Sequence, residues 1–452
     1  MSDASNTVGA RSPLWTPAVR QGAMAALVLM FLVNSLNFLD RMLFSILQEP
    51  IKRDLALTDF QLGLLGGPAF AVLYSLLALP IGRLADRTDR VRVITIVTIL
   101  WSVMTAMCGM AGSFGQMLLA RLGVSVGEAG CAPAAHSIIA ANFPPERRTG
   151  AIAFFTSGSS VGTLTAAFAG SALAALVGWR ATFFLCGATG IFLAIVVRTM
   201  LREPARSKPA GANAASLVAC ARALGSKRSF RHLCAGMSLG TLAGFAITQY
   251  LTSFLIRVHG LSLSNAASIT GLLKGALAFF VTIAMGLLID WARRRSPSIG
   301  IMLPAAGLVL GGASYAAAFA TPILPLALAF LVMGVTATHG YLAAGFAAAQ
   351  ELAPADMRSS ASGLLMLIVG LIGFAIGSPL VGLVSDLTAS HALAGAGQTL
   401  AGCAALAGNA RCAAAEALGI RWGLLAVVPF MLWAGLHFWL ASRTFAEDVK
   451  RG

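Results

Sequence analysis

The sequence predicts an all-α integral membrane protein whose twelve transmembrane helices form two pseudo-symmetric bundles of six. Apolar residues make up 58% of the 452 residues and charged residues only 11%, whereas soluble domains carry about 25% charged residues. The chain also contains many apolar stretches long enough to cross a bilayer, and two loop motifs recur at nearly one spacing. Because continuous apolar stretches satisfy their backbone in lipid only as helices, these segments are predicted to be helical.

A transmembrane helix needs about 20 mostly apolar residues, and twelve stretches meet this requirement. They are 23–48, 60–81, 92–112, 114–141, 150–176, 180–199, 232–258, 266–289, 299–320, 324–349, 360–385 and 419–441. The first is too long for a signal peptide and lacks a small-residue cleavage site, so we expect it to be retained. The polar connection "REPARSKPAGANAAS" separates six segments from six. The expected organisation is an N-terminal tail (1–22), a first bundle (23–200), a linker (201–231), a second bundle (232–443) and a C-terminal tail (444–452).

The net charge of +15 is distributed as a membrane protein distributes it. If the N-terminus is cytoplasmic, 23 of the 32 Lys and Arg residues fall at or beside cytoplasmic segments, six fall at the outer face, and three (Arg41, Arg121 and Lys274) lie within helices. This positive-inside bias predicts that both termini are cytoplasmic. The excess of basic residues therefore indicates the membrane topology, and no nucleic-acid partner is expected.

Two short loop signals suggest that the second bundle repeats the first. "GRLADRTDR" follows the second segment and "GLLIDWARRR" follows the eighth, with Gly82 and Gly286 204 residues apart. "PPERR" follows the fourth segment and "PADMR" the tenth, with Pro144 and Pro354 210 residues apart. The alternative is chance similarity among basic cytoplasmic loops, which applies more to the second pair than to the first.

Twelve segments with G-x-L-x-D-R-x-x-R after the second resemble the major facilitator superfamily. "NFLDR" in the first segment, "RLGVSVGEAGCAPAAHS" in the fourth and the following "FPPERR" resemble its bacterial Spinster-like branch. The chain departs from the pattern at Asp89 and at Trp291, which stands where an Arg would follow Asp290. The resemblance implies the major facilitator fold and a conformational latch formed by Gly82, Asp86, Arg87, Arg90, Asp290 and Arg293. The alternative is a solvated basic turn that serves topology alone.

Four charged residues lie deep within the predicted membrane segments of the first bundle: Asp40, Arg41, Arg121 and Glu128. A charge at the bilayer centre costs about 2.5–3.5 kcal/mol on insertion scales, so each needs a partner or water. Asp40 and Arg41 point about 100° apart on a helix, and Arg121 and Glu128 share one face about 10 Å apart. The spacing predicts the pairs Asp40–Arg121 and Arg41–Glu128. The four residues, the embedded quartet below, are candidates for proton coupling or substrate binding; bracing of two helices is the alternative.

Five further residues are candidates for a cavity because they fall on helices that line it in the family: Gln249, Tyr250, Lys274, His339 and Tyr341. Ordinary packing is the alternative for each, and Lys274 could also reach a lipid phosphate. No P-loop, catalytic constellation or metal motif is present. We therefore expect no enzyme and no cofactor, with a proton gradient as the driving force.

The resemblance implies a secondary transporter working by alternating access in the bacterial inner membrane. A charged first bundle facing an apolar second bundle favours an amphiphile such as a lysophospholipid or sphingolipid phosphate. A small organic anion carried with protons, multidrug export and, less favoured, an intramembrane lipid-processing enzyme are the alternatives. The expected partners are membrane lipids and the substrate, with a monomeric protein. Cys403 and Cys412 share a predicted outer loop, where an oxidising compartment favours a disulfide; free thiols are the alternative.

Overall fold

The computed structural model describes residues 17–203, 217–354, 357–394, 398–405 and 409–450. The first half of the chain contributes six membrane helices. They are α1 (Pro17–Ile46), α2 (Asp59–Gly66 and Pro68–Arg87), α3 (Arg90–Met110), α4 (Phe114–Glu128 and Cys131–Asn142), α5 (Pro145–Thr165, continued by Ala166–Gly170) and α6, the part of Ser171–Met200 that follows Gly178.

The second half contributes six more. They are α7 (Arg228–His259), α8 (Leu263–Gly271, Leu272–Leu277 and Ala278–Arg295), α9 (Pro297–Ala320), α10 (Leu324–Thr338 and Tyr341–Leu352), α11 (Arg358–Val369, Gly370–Phe374 and Ala375–Ala394) and α12 (Ala410–Lys450). Short helices at Gln48–Asp54, Leu217–Gly225 and Leu400–Ala405 lie between them.

Ten helical stretches in the described chain are long and apolar enough to cross a membrane, and with the two cases below they account for the predicted twelve. The stretch Glu146–Met200 contains both α5 and α6, which separate at Gly178, where φ is +82°. The fourth helix is not among the ten; it carries Arg121 and Glu128 and is interrupted between Glu128 and Cys131. Twelve crossings bring both termini to one side, called the terminal face here; the other side is the opposite face.

The surface is apolar where lipid would contact it. Leu176 is 81% exposed, Phe280 68% and Phe192 67%. In water so many exposed large apolar side chains would promote aggregation, so these helices fit a bilayer.

At the opposite face the two halves pack backbone to backbone. A Cβ added at Gly63 of α2 would lie 2.5 Å from the Ser378 carbonyl oxygen of α11, and one added at Gly382 would lie 2.2 Å from the Asp59 carbonyl oxygen. Small residues permit such close helix approach in membranes. The halves are therefore tightly closed against each other at this face.

The predicted domain boundaries need three corrections. Helix α1 begins at Pro17, inside the expected N-terminal tail. Helix α7 begins at Arg228, inside the expected linker. Helix α12 runs to Lys450, so most of the expected C-terminal tail is helical; it is held by Asp448, whose carboxylate accepts from the backbone N–H and hydroxyl of Ser229, both at 2.8 Å. Residues 1–16, 204–216 and 451–452 of the predicted tails and linker lie outside the described residues.

Candidate functional site

Arg41 and Glu128 form the ion pair that the sequence predicts between α1 and α4. The Arg41 Nη2 atom lies 2.8 Å and its Nε atom 3.3 Å from Oε2 of Glu128, and the Glu128 side chain is fully buried. The guanidinium also lies 4.3 Å from the ring centre of Phe70 and 5.1 Å from that of Tyr74. Arg41 is thus turned toward α4 and the α2 aromatic side chains.

Asp40 and Arg121 do not form the second predicted pair: no ion pair joins them among the described residues. Asp40 accepts a hydrogen bond from the Thr105 hydroxyl of α3 at 3.2 Å, and its Oδ1 atom has no hydrogen-bond partner. The Arg121 Nε atom donates to the Leu65 carbonyl oxygen at 3.4 Å. That carbonyl is available because the first segment of α2 ends at Gly66, and the last carbonyls of a helix lack intrahelical partners.

A cavity of about 440 Å³ lies between the two halves, within the size range of small-molecule sites. Lys274, His339 and Tyr341 line it, as the sequence predicts. The wall is completed by Phe38, Met42, Thr163, Thr241, Gly244, Phe245, Thr248, Tyr315, Thr338, Leu342, Phe346, Met366, Val369, Gly370 and Phe374.

Charged groups were expected on the first-half side of the cavity and apolar groups on the second-half side, and the lining shows the reverse. None of the embedded quartet is among its lining residues, and the first half contributes only Phe38, Met42 and Thr163. Apart from Thr163, the polar and cationic groups of the wall, including Lys274, come from the second half. The reason is that Arg41 points at Glu128 and Phe70, which leaves the apolar neighbours of Arg41 on α1 to face the cavity.

Gln249 and Tyr250 lie outside the cavity wall, contrary to expectation. Gln249 is 2% exposed; it packs against Gly66 and accepts a hydrogen bond from Ser45 of α1. The Tyr250 hydroxyl donates to the Asp59 carbonyl oxygen at 2.5 Å. Both side chains therefore join α7 to the first half rather than facing a substrate.

A charged gate closes the opposite face; it consists of Glu49, Lys52, Asp59, Arg257, Asp386 and Glu416. Arg257 of α7 contacts Asp59 of α2 through Nη1 at 2.7 Å and Nη2 at 2.9 Å. Its Nε atom donates to Glu49 at 2.8 Å. The Arg257 and Asp59 side chains are both only 3% exposed, so this bidentate pair is desolvated as well as geometrically complete.

Lys52 and Asp386 complete the gate. Lys52 lies 2.9 Å from Asp59 and 2.9 Å from Glu416 of α12. The Asp386 carboxylate accepts from the backbone N–H groups of Asp59 at 3.0 Å and Phe60 at 2.8 Å. The gate therefore links α2 and its preceding loop to α7, α11 and α12, which belong to the other half.

The gate's electrostatics favour the closed pairing. Burial alone would raise the pKa of Glu49, but the charges of Arg257 and Lys52 hold it below its usual value. Burial and Arg257 would lower the pKa of Lys52, but the carboxylates of Asp59, Glu416 and Glu49 raise it above its usual value. This network is not predicted from the sequence above, although the acidic residues beside the first outer loop and Arg257 in the last turn of α7 are a signal of it.

The first-half latch residues lie at the terminal face. A Cβ on Gly82 would lie 3.1 Å from Pro133, so Gly82 permits close packing of α2 on α4. Arg87 is exposed. Arg90 is 9% exposed and its Nε atom lies 4.0 Å from Glu203, just after α6. The Asp86 side chain lies outside the described part of the structure.

The second-half counterparts are arranged differently. Asp290 is exposed, and Arg293 forms an ion pair with Glu351 of α10. Arg293 is thus engaged within its own half. Whether these loops act as a latch stays a prediction.

Cys403 and Cys412 are joined by a disulfide with a Cα–Cα distance of 5.6 Å. It ties the short helix Leu400–Ala405 to the start of α12. This is the pairing expected for the outer loop.

A family model described as "Major Facilitator Superfamily" matches residues 30–378. The chain belongs to this superfamily. The fold class predicted from the sequence is thereby confirmed, and the family is one of transporters rather than enzymes.

Individual relatives show which members of the superfamily this chain is similar to. The crystal structure of a bacterial homolog to the human lysosomal transporter Spinster, in an inward-facing and unoccupied conformation, superimposes with a TM-score of 0.87 at 33% identity, covering 96% of this chain and 99% of that one. An "MFS-type efflux pump" of Mycolicibacterium smegmatis is 31% identical over 432 residues, 94% of each protein. A "Probable L-galactonate transporter" of Escherichia coli is 29% identical over 170 residues, 38% of this chain and 37% of that protein. The predicted Spinster-like resemblance is confirmed.

Proposed function

We propose that this protein is a proton-coupled secondary transporter that carries an anionic amphiphile, such as a lysophospholipid or sphingolipid phosphate, by alternating access. The observation that carries the proposal is the cavity between the halves, apolar over most of its wall and closed at one face by the charged gate. Rocking of two bundles about such a site is the general mechanism of these folds.

The orientation follows from the distribution of basic residues. The terminal face carries most of the Lys and Arg residues, and the positive-inside rule supports our proposal that it is the cytoplasmic face of a bacterial inner membrane. The charged gate then faces the periplasm, and the described conformation is closed to that side.

Proton coupling is assigned to the buried carboxylates of the first half. Glu128 is held by Arg41, and a guanidinium that changes partners can bind and release it during the transport cycle. Asp40 has a hydrogen bond from Thr105 but no ion pair in the described structure, which makes it the second candidate. Neither lines the cavity, so the proton and the substrate occupy different places.

Counterflow in proteoliposomes tests the carrier mechanism. Vesicles preloaded with unlabelled lysophosphatidate should accumulate labelled lysophosphatidate transiently and saturably, because only a carrier exchanges substrate unchanged. Equal entry into empty and preloaded vesicles would contradict the proposal.

Two alternatives have specific support. A small organic acid is favoured by the similarity to a probable L-galactonate transporter, and multidrug export by the similarity to an MFS-type efflux pump. Galactonate and a lipophilic cation serve as competing substrates in the same assay. The cavity's Lys274 disfavours the cation, and its aromatic wall disfavours the sugar acid.

A further inference from the structure

Lys274 is presented to the cavity by an irregular part of α8. It lies in the π-helical segment Leu272–Leu277, and single-turn π segments inside α-helices occur often at functional sites. Gly275, next to Lys274, allows this segment to pack closely on the first half, because a Cβ on Gly275 would lie 2.8 Å from Leu164 of α5. Lys274 therefore stands where the two halves meet.

The charge of Lys274 is uncompensated. The side chain is half-buried, and its Nζ atom lies 5.8 Å from the centre of the Tyr315 ring. Within the described residues no carboxylate lies within ion-pairing distance of it, and none of the residues that line the cavity is acidic. Arg41 is paired with Glu128, and Arg257 with Asp59 and Glu49. Arg121 contacts the Leu65 carbonyl oxygen and the Phe44 ring and does not line the cavity.

An unpaired ammonium group in a membrane-embedded cavity is expected to bind an anion. Charges inside a membrane protein pair with one another or face a water-filled path, and an unpaired one is costly. Hydroxyl donors are also close to the site, because Thr241 and Tyr341, paired at 3.0 Å, both line the cavity. The remaining wall is largely aromatic and aliphatic.

We propose that Lys274 binds the acidic group of the transported molecule, a carboxylate or phosphate, while its apolar chain packs against Phe38, Met42, Phe245 and Phe374. This inference rests on the proposed transport function and deepens it. It places the headgroup on the second half, away from the embedded quartet. A substrate bound in this way would contact both halves, its acidic group on α8 and its chain on α1, and would help to hold them together.

Equilibrium binding to the purified full-length protein tests the assignment. The probes are 1-oleoyl-lysophosphatidate, which is anionic, and 1-oleoylglycerol, which has the same chain without the charge. Lys274→Met should weaken lysophosphatidate binding about ten- to hundredfold, the range for one charge-assisted hydrogen bond. It should leave oleoylglycerol binding unchanged, and Lys274→Arg should retain most of the affinity for the acid.

Lys450→Met is the matched control, because it removes the same group from an exposed position at the end of α12. Lys274→Gln replaces Lys274→Met if the latter fails to elute as a monodisperse protein. Unchanged lysophosphatidate binding by the folded variant, or an equal loss for both probes, would overturn the assignment. If galactonate binds in a Lys274-dependent way and lysophosphatidate does not bind, Lys274 recognises an acidic group, but the proposed contacts with an apolar chain are wrong.

The outcome is separable from that of the transport proposal. Failure of counterflow by the unmodified protein would remove the carrier mechanism whatever Lys274 binds. Normal counterflow with Lys274→Met binding lysophosphatidate as well as the unmodified protein would leave the carrier and remove the subsite.

Discussion

Replacing Arg257 by Gln should open the charged gate. Arg257 makes three charge-assisted hydrogen bonds, two to Asp59 and one to Glu49, with a side chain only 3% exposed. Removing one partner of a buried ion pair costs about 3–5 kcal/mol, because the other partner is left buried without compensation. When the gate opens, Asp59 and Glu49 become hydrated, so this penalty falls mainly on the closed state. The equilibrium should shift toward the open state by about a hundred- to several-thousandfold.

Cysteine accessibility measures the shift. Ser378 is fully buried between the halves, so a Ser378→Cys reporter reacts with an impermeant maleimide from outside intact cells only when the gate is open. Arg257→Gln should accelerate labelling strongly. Arg53→Cys, at an exposed position of the same face, checks that this face is outside.

Arg180→Gln is the matched control for the gate. Arg180 also lies at the opposite face and pairs with Asp54 at 2.8 Å, but both belong to the first half and are well exposed. Removing this pair should leave reporter labelling unchanged. If Arg257→Gln folds and its labelling matches that of Arg180→Gln, the gate does not hold the halves together.

Four further outcomes follow from the same geometry. Glu128→Gln should still bind substrate but lose accumulation driven by a pH gradient, measured in proteoliposomes; undiminished accumulation would remove Glu128 from coupling. Asp40→Asn should be milder for folding than the loss of a buried ion pair, measured as thermal stability in detergent, because Asp40 has no ion pair in the described structure; a loss as large as that of Arg41→Gln would contradict this. Asp86→Asn should raise the inward-open population if the loop acts as a latch, and unchanged cysteine accessibility from both faces would refute it. The ratio of the Ser378→Cys labelling rate to that of the exposed Arg53→Cys, which cancels the pH dependence of the thiol itself, should be flat between about pH 6 and 8 and rise only below about pH 4: because the closed gate lowers the pKa of Glu49, its contribution is complete above the ordinary carboxylate value and is lost as pH falls through the lowered one.

The sequence predicts the membrane segments well because hydropathy records burial in lipid directly. Interruptions within the helices are harder to predict from the sequence. The π segments Ala166–Gly170, Leu272–Leu277 and Gly370–Phe374 leave no sequence signal comparable to a proline. One of them carries Lys274, so the feature that positions a candidate substrate group is the one that hydropathy does not show.

Pairing of charges is predictable only as far as helix neighbours are known. The spacing of Arg121 and Glu128 correctly places Glu128 near Arg41. It fails for Asp40, because an angle of about 100° between adjacent residues says that they face different neighbours without saying which ones. Asp40 faces α3, and Arg121 reaches the end of a broken helix. The gate was missed for a related reason: Glu49 and Glu416 are far apart in sequence, and no periodicity links them.

The positions of the charges indicate how the proposed proton and substrate sites could be connected. Arg41, which holds Glu128, lies on α1 between Phe38 and Met42, which line the cavity. Residues three and four apart share a helix face, whereas Arg41 and Met42 point about 100° apart. If Glu128 were released, α1 would lose this ion pair to α4, and a rotation of α1 would carry Phe38 and Met42 along the cavity wall opposite Lys274. We infer that protonation changes the shape of the apolar side of the cavity while the cationic side stays fixed on α8. Coupling then needs no direct contact between the proton and the substrate, only a helix that both sites share.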